Sequence, residues 1–133
     1  MLYTLLLGRR PTMDEVVKQA LERDRTIDIT TRGRSTGQPR RKEIWFHNLD
    51  GRLYITGTPG RRDWYANLLT NPEFIFHLKQ RVQVDLPARA TPILDKAQRQ
   101  DILARIIQRL GGNRDLNAWV EGSPLVEVKL QAR

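Results

Sequence analysis

The sequence predicts an α+β domain whose strands form a mostly antiparallel sheet or a small barrel. Three observations carry that expectation: short runs of β-branched and aromatic residues, a hairpin dipeptide joining two of them, and helix-period segments set between groups of strands. A doubly wound parallel sheet would instead alternate strand and helix throughout, and is excluded on that pattern.

The elements follow in chain order. Thr12 and Glu15 have the spacing of a capping box, and Met13, Val16, Val17, Ala20 and Leu21 recur at helical period, which predicts a helix over 12–24. Ile27, Ile29 and Thr31 alternate with Asp28 and Thr30 as in a half-buried strand. Gly33-Arg34-Ser35-Thr36-Gly37-Gln38-Pro39 is turn chemistry. A second strand is expected over 40–49, with Ile44 and Phe46 opposed to Trp45 and His47. Asp50-Gly51 then turns the chain into a return strand, Leu53 to Thr56. Gly57-Thr58-Pro59-Gly60 ends the sheet, and Asp63 opens a short helix that Asn71-Pro72 stops. Strands over 73–79 and 82–93 flank a turn at Gln80-Arg81. A helix over 94–110 ends at Gly111-Gly112, a short helical piece covers 116–120, and a strand over 125–130 closes the chain. No repeat or linker interrupts this order, so residues 1–133 read as one domain. Within it, 1–24 form an N-terminal segment and helix, 25–93 a barrel core, and 94–133 a helix and closing strand.

The chain has 133 residues, no cysteine, and 23 Lys and Arg against 15 Asp and Glu, for a formal charge of +8. Without cysteine there is no disulfide framework, no thiolate nucleophile and no thiolate-bound metal. The apolar run Leu2–Leu7 is far shorter than the ~20 residues of a membrane span and lacks the flanks of a signal peptide, so a cytoplasmic protein is expected. The positive charge is local. Between Arg32 and Arg62 stand eight basic residues and only two acidic ones, Glu43 and Asp50. Most of the basic residues are arginines, whose planar fork suits phosphate and carboxylate.

Groups for protein-borne catalysis are scarce. His47 and His77 sit inside strands without partners at metal-ligand spacing and read as structural histidines. No nucleophile elbow, P-loop, HExxH or dinucleotide fingerprint occurs. Neither a catalytic side chain nor a metal ligand is assigned. What the sequence offers is an anion cradle. Arg34, Ser35, Thr36, Gly37, Arg40 and Arg41 place hydroxyls, guanidinium groups and permissive backbone within eight residues. Thr58, Gly60, Arg61 and Arg62 lead into a helix N-terminus, beyond which Trp64 and Asn67 lie one turn apart. A solvated basic turn with Trp64 as a core anchor is the plainer account of either loop taken alone.

Together the two loops resemble a family. Thr30-Thr31-Arg32-Gly33-Arg34-Ser35-Thr36-Gly37-Gln38-Pro39-Arg40-Arg41, followed by Thr58–Arg62 and Trp64-Tyr65-Ala66-Asn67-Leu68-Leu69-Thr70-Asn71-Pro72, is similar to the paired signature of the deazaflavin-dependent nitroreductase and quinone reductase family. Ser35 stands where that family commonly has lysine, Thr36 replaces its serine, and Pro59 falls where a second cation is frequent. Asn113-Arg114-Asp115-Leu116 occupies a region where some members carry tyrosines.

The resemblance implies a split β-barrel of the FMN-binding type, frequently a homodimer, that binds coenzyme F-420, an 8-hydroxy-5-deazaflavin with a phosphate and a polyglutamate tail. It further implies that Arg34, Ser35, Thr36, Gly37, Arg40 and Arg41 face the phosphate or tail, while Thr58, Gly60, Arg61, Arg62, Trp64 and Asn67 lie by the phosphate and ring. The cofactor would then carry the chemistry, passing hydride to a small-molecule acceptor of quinone or nitro type. FMN or heme on the same barrel is the alternative cofactor. A basic nucleic-acid-binding module using Trp45, Phe46 and Tyr54 is the alternative of another class, disfavoured because the charge gathers at two loops.

Overall fold

A computed structural model describes residues 10–131; the apolar run Leu2–Leu7 lies outside them. Helix α1 (Met13–Arg23) starts where the Thr12 hydroxyl accepts the Glu15 N–H at 3.1 Å, and it buries Val17 and Ala20. Strand β1 (Thr26–Arg32) follows, with alternate residues buried as its pattern predicts. The remaining elements are β2 (Pro39–Trp45), β3 (His47–Leu49), β4 (Arg52–Thr56), α2 (Asp63–Thr70), β5 (Glu73–Leu78), β6 (Val84–Pro92), α3 (Lys96–Leu110), α4 (Leu116–Gly122) and β7 (Leu125–Leu130).

The strands form one seven-stranded antiparallel sheet in the order β2-β1-β5-β6-β7-β4-β3. Its two ends are the same stretch of chain. Residues 39–45 pair with β1, residues 47–49 pair with β4, and Phe46 is the corner between them. The sheet therefore curls into a split barrel with flanking helices.

This corner corrects the single strand expected over 40–49. Phe46 and His47 are both buried, which breaks the alternation of one flat strand. The Phe46 N–H still donates to Arg25 O at 3.0 Å, in register with the β1 pairing, while its ring turns inward and meets Phe76 edge-on at 5.2 Å. Burial of the ring inside the curl overrides the strand's own period. The Asp50-Gly51 turn is as expected, with positive φ at both residues (55° and 92°), the geometry of a primed hairpin turn.

Two apolar clusters divide the interior. One fills the curl with Ile27, Ile29, Phe46, Ile55, Trp64, Leu68 and Phe76, and α1 joins it through Val17 and Ala20. The other packs Leu103 and Ile106 of α3 and Trp119 and Val120 of α4 against Leu49, Tyr54 and Leu125. The packing fixes α2 across the open side of β1, and that arrangement makes the cleft described next.

Candidate cofactor cleft

A cleft of about 990 Å³ opens between the 33–38 loop, the start of α2 and the face of β1 and β2 that carries Ile29 and Thr31. Nine of the twelve residues singled out from sequence line it: Arg34, Ser35, Thr36, Arg40, Arg41, Arg61, Arg62, Trp64 and Asn67.

Asn67 organises the loop. It is 3% exposed, its Oδ1 accepts from the Arg34 backbone N–H at 3.0 Å and from Arg34 Nη1 at 3.1 Å, and its Nδ2 donates to Thr31 Oγ1 at 3.2 Å. One side chain on α2 thereby ties the loop to the helix and to β1. Arg34 Nη2 also reaches Asp63 at 3.4 Å, on an exposed carboxylate. Within the loop, Gly33 N–H donates to Gln38 O, Gly37 N–H donates to Gly33 O, and the Thr36 hydroxyl accepts from Gln38 N–H. A Cβ on Gly33 would lie 2.8 Å from Thr36 Oγ1, so this glycine permits the tight turn. The N–H groups of Ser35 and Thr36 meet no acceptor among the described residues. The next loop is held by Arg62, whose Nη2 donates to Thr58 O and Oγ1 at 2.9 and 2.6 Å. Arg62 precedes α2 without capping it by side chain, so the first N–H groups of that helix lack an internal partner.

Three expected residues fall outside the cleft. Gly37, with φ of +71°, closes the first turn; Thr58 is engaged by Arg62; and Gly60 lines a neighbouring cavity. Arg41 borders the cleft, but its guanidinium turns to the other face of the sheet, where Nε donates to Asp28 at 2.9 Å. There Lys79 bridges Asp28 at 2.6 Å and also pairs with Glu43. Lys79 first, then Arg41, holds the Asp28 carboxyl below the usual carboxylate range, and the Asp28 hydrogen bond raises the Lys79 ammonium.

Trp64 is a core anchor at 4% exposure that also borders the cleft, its ring 6.0 Å from that of Tyr65 in an edge-on pair. Sequence reasoning missed Lys42, Tyr65 and Leu69. Lys42 follows Arg40 by two on a strand, so the strand period was a usable signal for it. Tyr65 stood in the signature run beside Trp64, which was a usable signal for it, whereas Leu69 carried none apart from the packing of α2.

The histidines are structural. His77 Nδ1 donates to the Asp85 carboxylate at 2.7 Å, and its Nε2 shares a hydrogen bond with the Thr30 hydroxyl at 2.7 Å. His47 is buried, and burial, reinforced by Arg109 and Arg25, lowers its pKa to about 4. Among the described residues no group of three or more His, Cys, Asp or Glu is placed to hold a metal ion, and no helix is long and apolar enough to cross a membrane.

The cleft is thus cationic, rich in unengaged N–H donors, and walled on one side by aromatic side chains. A family model described as F420H(2)-dependent quinone reductase matches residues 9–131. This chain belongs to that family. The F420H(2)-dependent quinone reductases are oxidoreductases, and F-420 is the cofactor of this one. Solved structures share the fold. One described as an F420 reductase is 20% identical, with a TM-score of 0.63 over 86% of this chain and 93% of that one. A conserved hypothetical protein of Mycobacterium tuberculosis is 16% identical, with a TM-score of 0.71 over 92% and 82%. A FAD-binding protein of Mesorhizobium loti is 18% identical, with a TM-score of 0.60 over 93% of each chain.

The residues present fit an anionic deazaflavin. Arg34, Arg40, Lys42 and Arg61 supply charge, Ser35 and Thr36 supply N–H donors, and Asp63 is the one carboxylate on the lining.

Proposed function

We propose that this quinone reductase holds the phosphate and tail of F-420 in the 990 Å³ cleft and reduces a quinone- or nitro-type acceptor beside it. The observation that carries this reading is the Asn67 tether, which fixes Arg34 over a loop whose Ser35 and Thr36 N–H groups have no internal acceptor. A preorganised guanidinium next to unengaged backbone donors binds phosphate oxygens without the cost of ordering a loop. Arg40 and Lys42 share the cleft face of β2 and extend the positive strip for a chain of carboxylates. Trp64 and Tyr65 give the ring an apolar wall.

When bound, the deazaflavin supplies the hydride. The chain's own work is to neutralise the tail, orient the ring and keep bulk water from one face, while solvent provides the proton. We also assign the chain to the cytoplasm and to a homodimer, on the family resemblance, and sedimentation of the purified protein checks the dimer.

Titration of F-420 into the protein, followed by its fluorescence, tests the cofactor site. Arg34→Ala is expected to weaken binding about tenfold or more, as loss of a charge-assisted hydrogen bond does. FMN is expected to compete poorly. Wild-type affinity in the variant, or displacement of F-420 by equimolar FMN, would overturn the assignment.

A further inference from the structure

A second cavity, of about 510 Å³, adjoins the cleft and shares Arg61 and Tyr65 with it. It lies between the 57–62 loop and the turn from α4 into β7, which meet where Gly60 N–H donates to Gly122 O at 3.0 Å. Its wall contains the one buried side-chain polar atom without a hydrogen-bond partner among the described residues, Ser123 Oγ, on a residue 4% exposed. A buried hydroxyl left unpaired has a free-energy cost, which a ligand oxygen removes.

The turn that carries Ser123 is rigid. Arg99, itself buried, donates to four backbone carbonyls: Nε to Val120 O at 2.8 Å, Nη1 to Ile93 O at 2.9 Å, and Nη2 to Trp119 O at 3.3 Å and Ser123 O at 2.6 Å. None of these partners is a carboxylate, so the guanidinium leaves positive potential in the wall. Glu121, the carboxylate on the lining, is paired with Lys96 at 3.4 Å at the exposed rim. Leu94, 72% exposed, adds an apolar lip.

We propose that this cavity seats the electron acceptor and that Ser123 Oγ donates the hydrogen bond to a carbonyl oxygen of a quinone, with Arg99 as the positioning residue that fixes the turn. The inference rests on the reductase reading above. The quinone takes a hydride, two electrons and one proton, from the reduced cofactor and a second proton from water. Both carbonyl oxygens end as hydroxyls, and Ser123 keeps its proton.

The test uses the full chain and menadione as the quinone. Menadione binding is read by quenching of tryptophan fluorescence, with F-420 affinity titrated in parallel. In Ser123→Ala, menadione Kd and KM are expected to rise about three- to tenfold, the loss typical of a neutral hydrogen bond. F-420 affinity should stay within twofold, with no fall in Tm, since the substitution removes an unsatisfied group. Leu94→Glu, at an exposed position, is expected to weaken menadione binding while leaving F-420 affinity unchanged. Menadione affinity unmoved in both variants, or absent in the wild type, overturns the proposal. A loss of F-420 affinity in Ser123→Ala also overturns it, because that result gives the hydroxyl to the cofactor. Failure of the wild type to bind F-420 is a separate result, and it refutes the reading on which the proposal rests.

Discussion

Asn67 makes three hydrogen bonds from a buried amide, and replacing it leaves Thr31 and Arg34 without their partner. Asn67→Ala is expected to cost about 2 kcal/mol of stability, within the range for stranded buried polar groups. It should also weaken F-420 binding about tenfold, because Arg34 then loses its fixed position; chemical denaturation and fluorescence titration read the two effects. His47 gives a second expectation at this scale. Its folded pKa of about 4 lies below the unfolded value of 6.5, so between those values the unfolded chain binds the proton and the native one does not. The neutral form's contribution is complete above pH 6.5 and is lost as pH falls toward 4, by at most about 3 kcal/mol. Thermal melts across that window should show the fall, and His47→Gln should flatten it. Sequence made these residues visible as candidates but not their work. Asn67 was read beside Trp64 as a ligand contact, and only the fold shows its amide committed to the protein itself.

At the scale of the element, β2 presents two chemistries on two faces. Opposite β1, Arg40 faces Thr31 and Lys42 faces Ile29 on the cleft side, while Arg41 faces Thr30 and pairs with Asp28 on the other. Arg40→Ala is therefore expected to weaken F-420 binding several-fold and to flatten its salt dependence, whereas Arg41→Ala leaves both near wild type. Titrations at two salt concentrations separate them. Arg41→Ala should cost at most about 1 kcal/mol of stability, the usual worth of an exposed ion pair. The period of two was legible in β1, where Ile27, Ile29 and Thr31 are buried in turn. It was legible in principle for Arg40 and Lys42, yet counting arginines across the motif grouped Arg41 with them. The bend at Phe46 was not legible, because nothing local in Ile44-Trp45-Phe46-His47 distinguishes a corner from a continuing strand. What decides it is the Phe76 ring, which arrives from β5 to pack against Phe46 inside the curl.

For the whole molecule, closure depends on pairing distant segments. β4 pairs with β7 across some seventy residues, as Leu53 with Val128 and Ile55 with Val126 show. No local pattern predicts such a pairing; periodicity reached an α+β domain with a mostly antiparallel sheet or small barrel, and the family resemblance narrowed it to the split barrel. Phe46→Ala removes the ring at the corner and is expected to cost about 3–5 kcal/mol, as buried phenylalanine truncations do. Equilibrium denaturation of the variant measures that loss.

Because residues 39–49 supply both rims of the sheet, the strip proposed to grip the cofactor is also the seam that shuts the barrel. Ligand binding and global integrity are then one equilibrium. A ligand present at a hundred times its dissociation constant adds about 2.7 kcal/mol to the resistance of the entire chain, not of one loop. In a cell, the occupied protein would outlive the empty one under proteolysis, so cofactor supply itself would set how much enzyme persists.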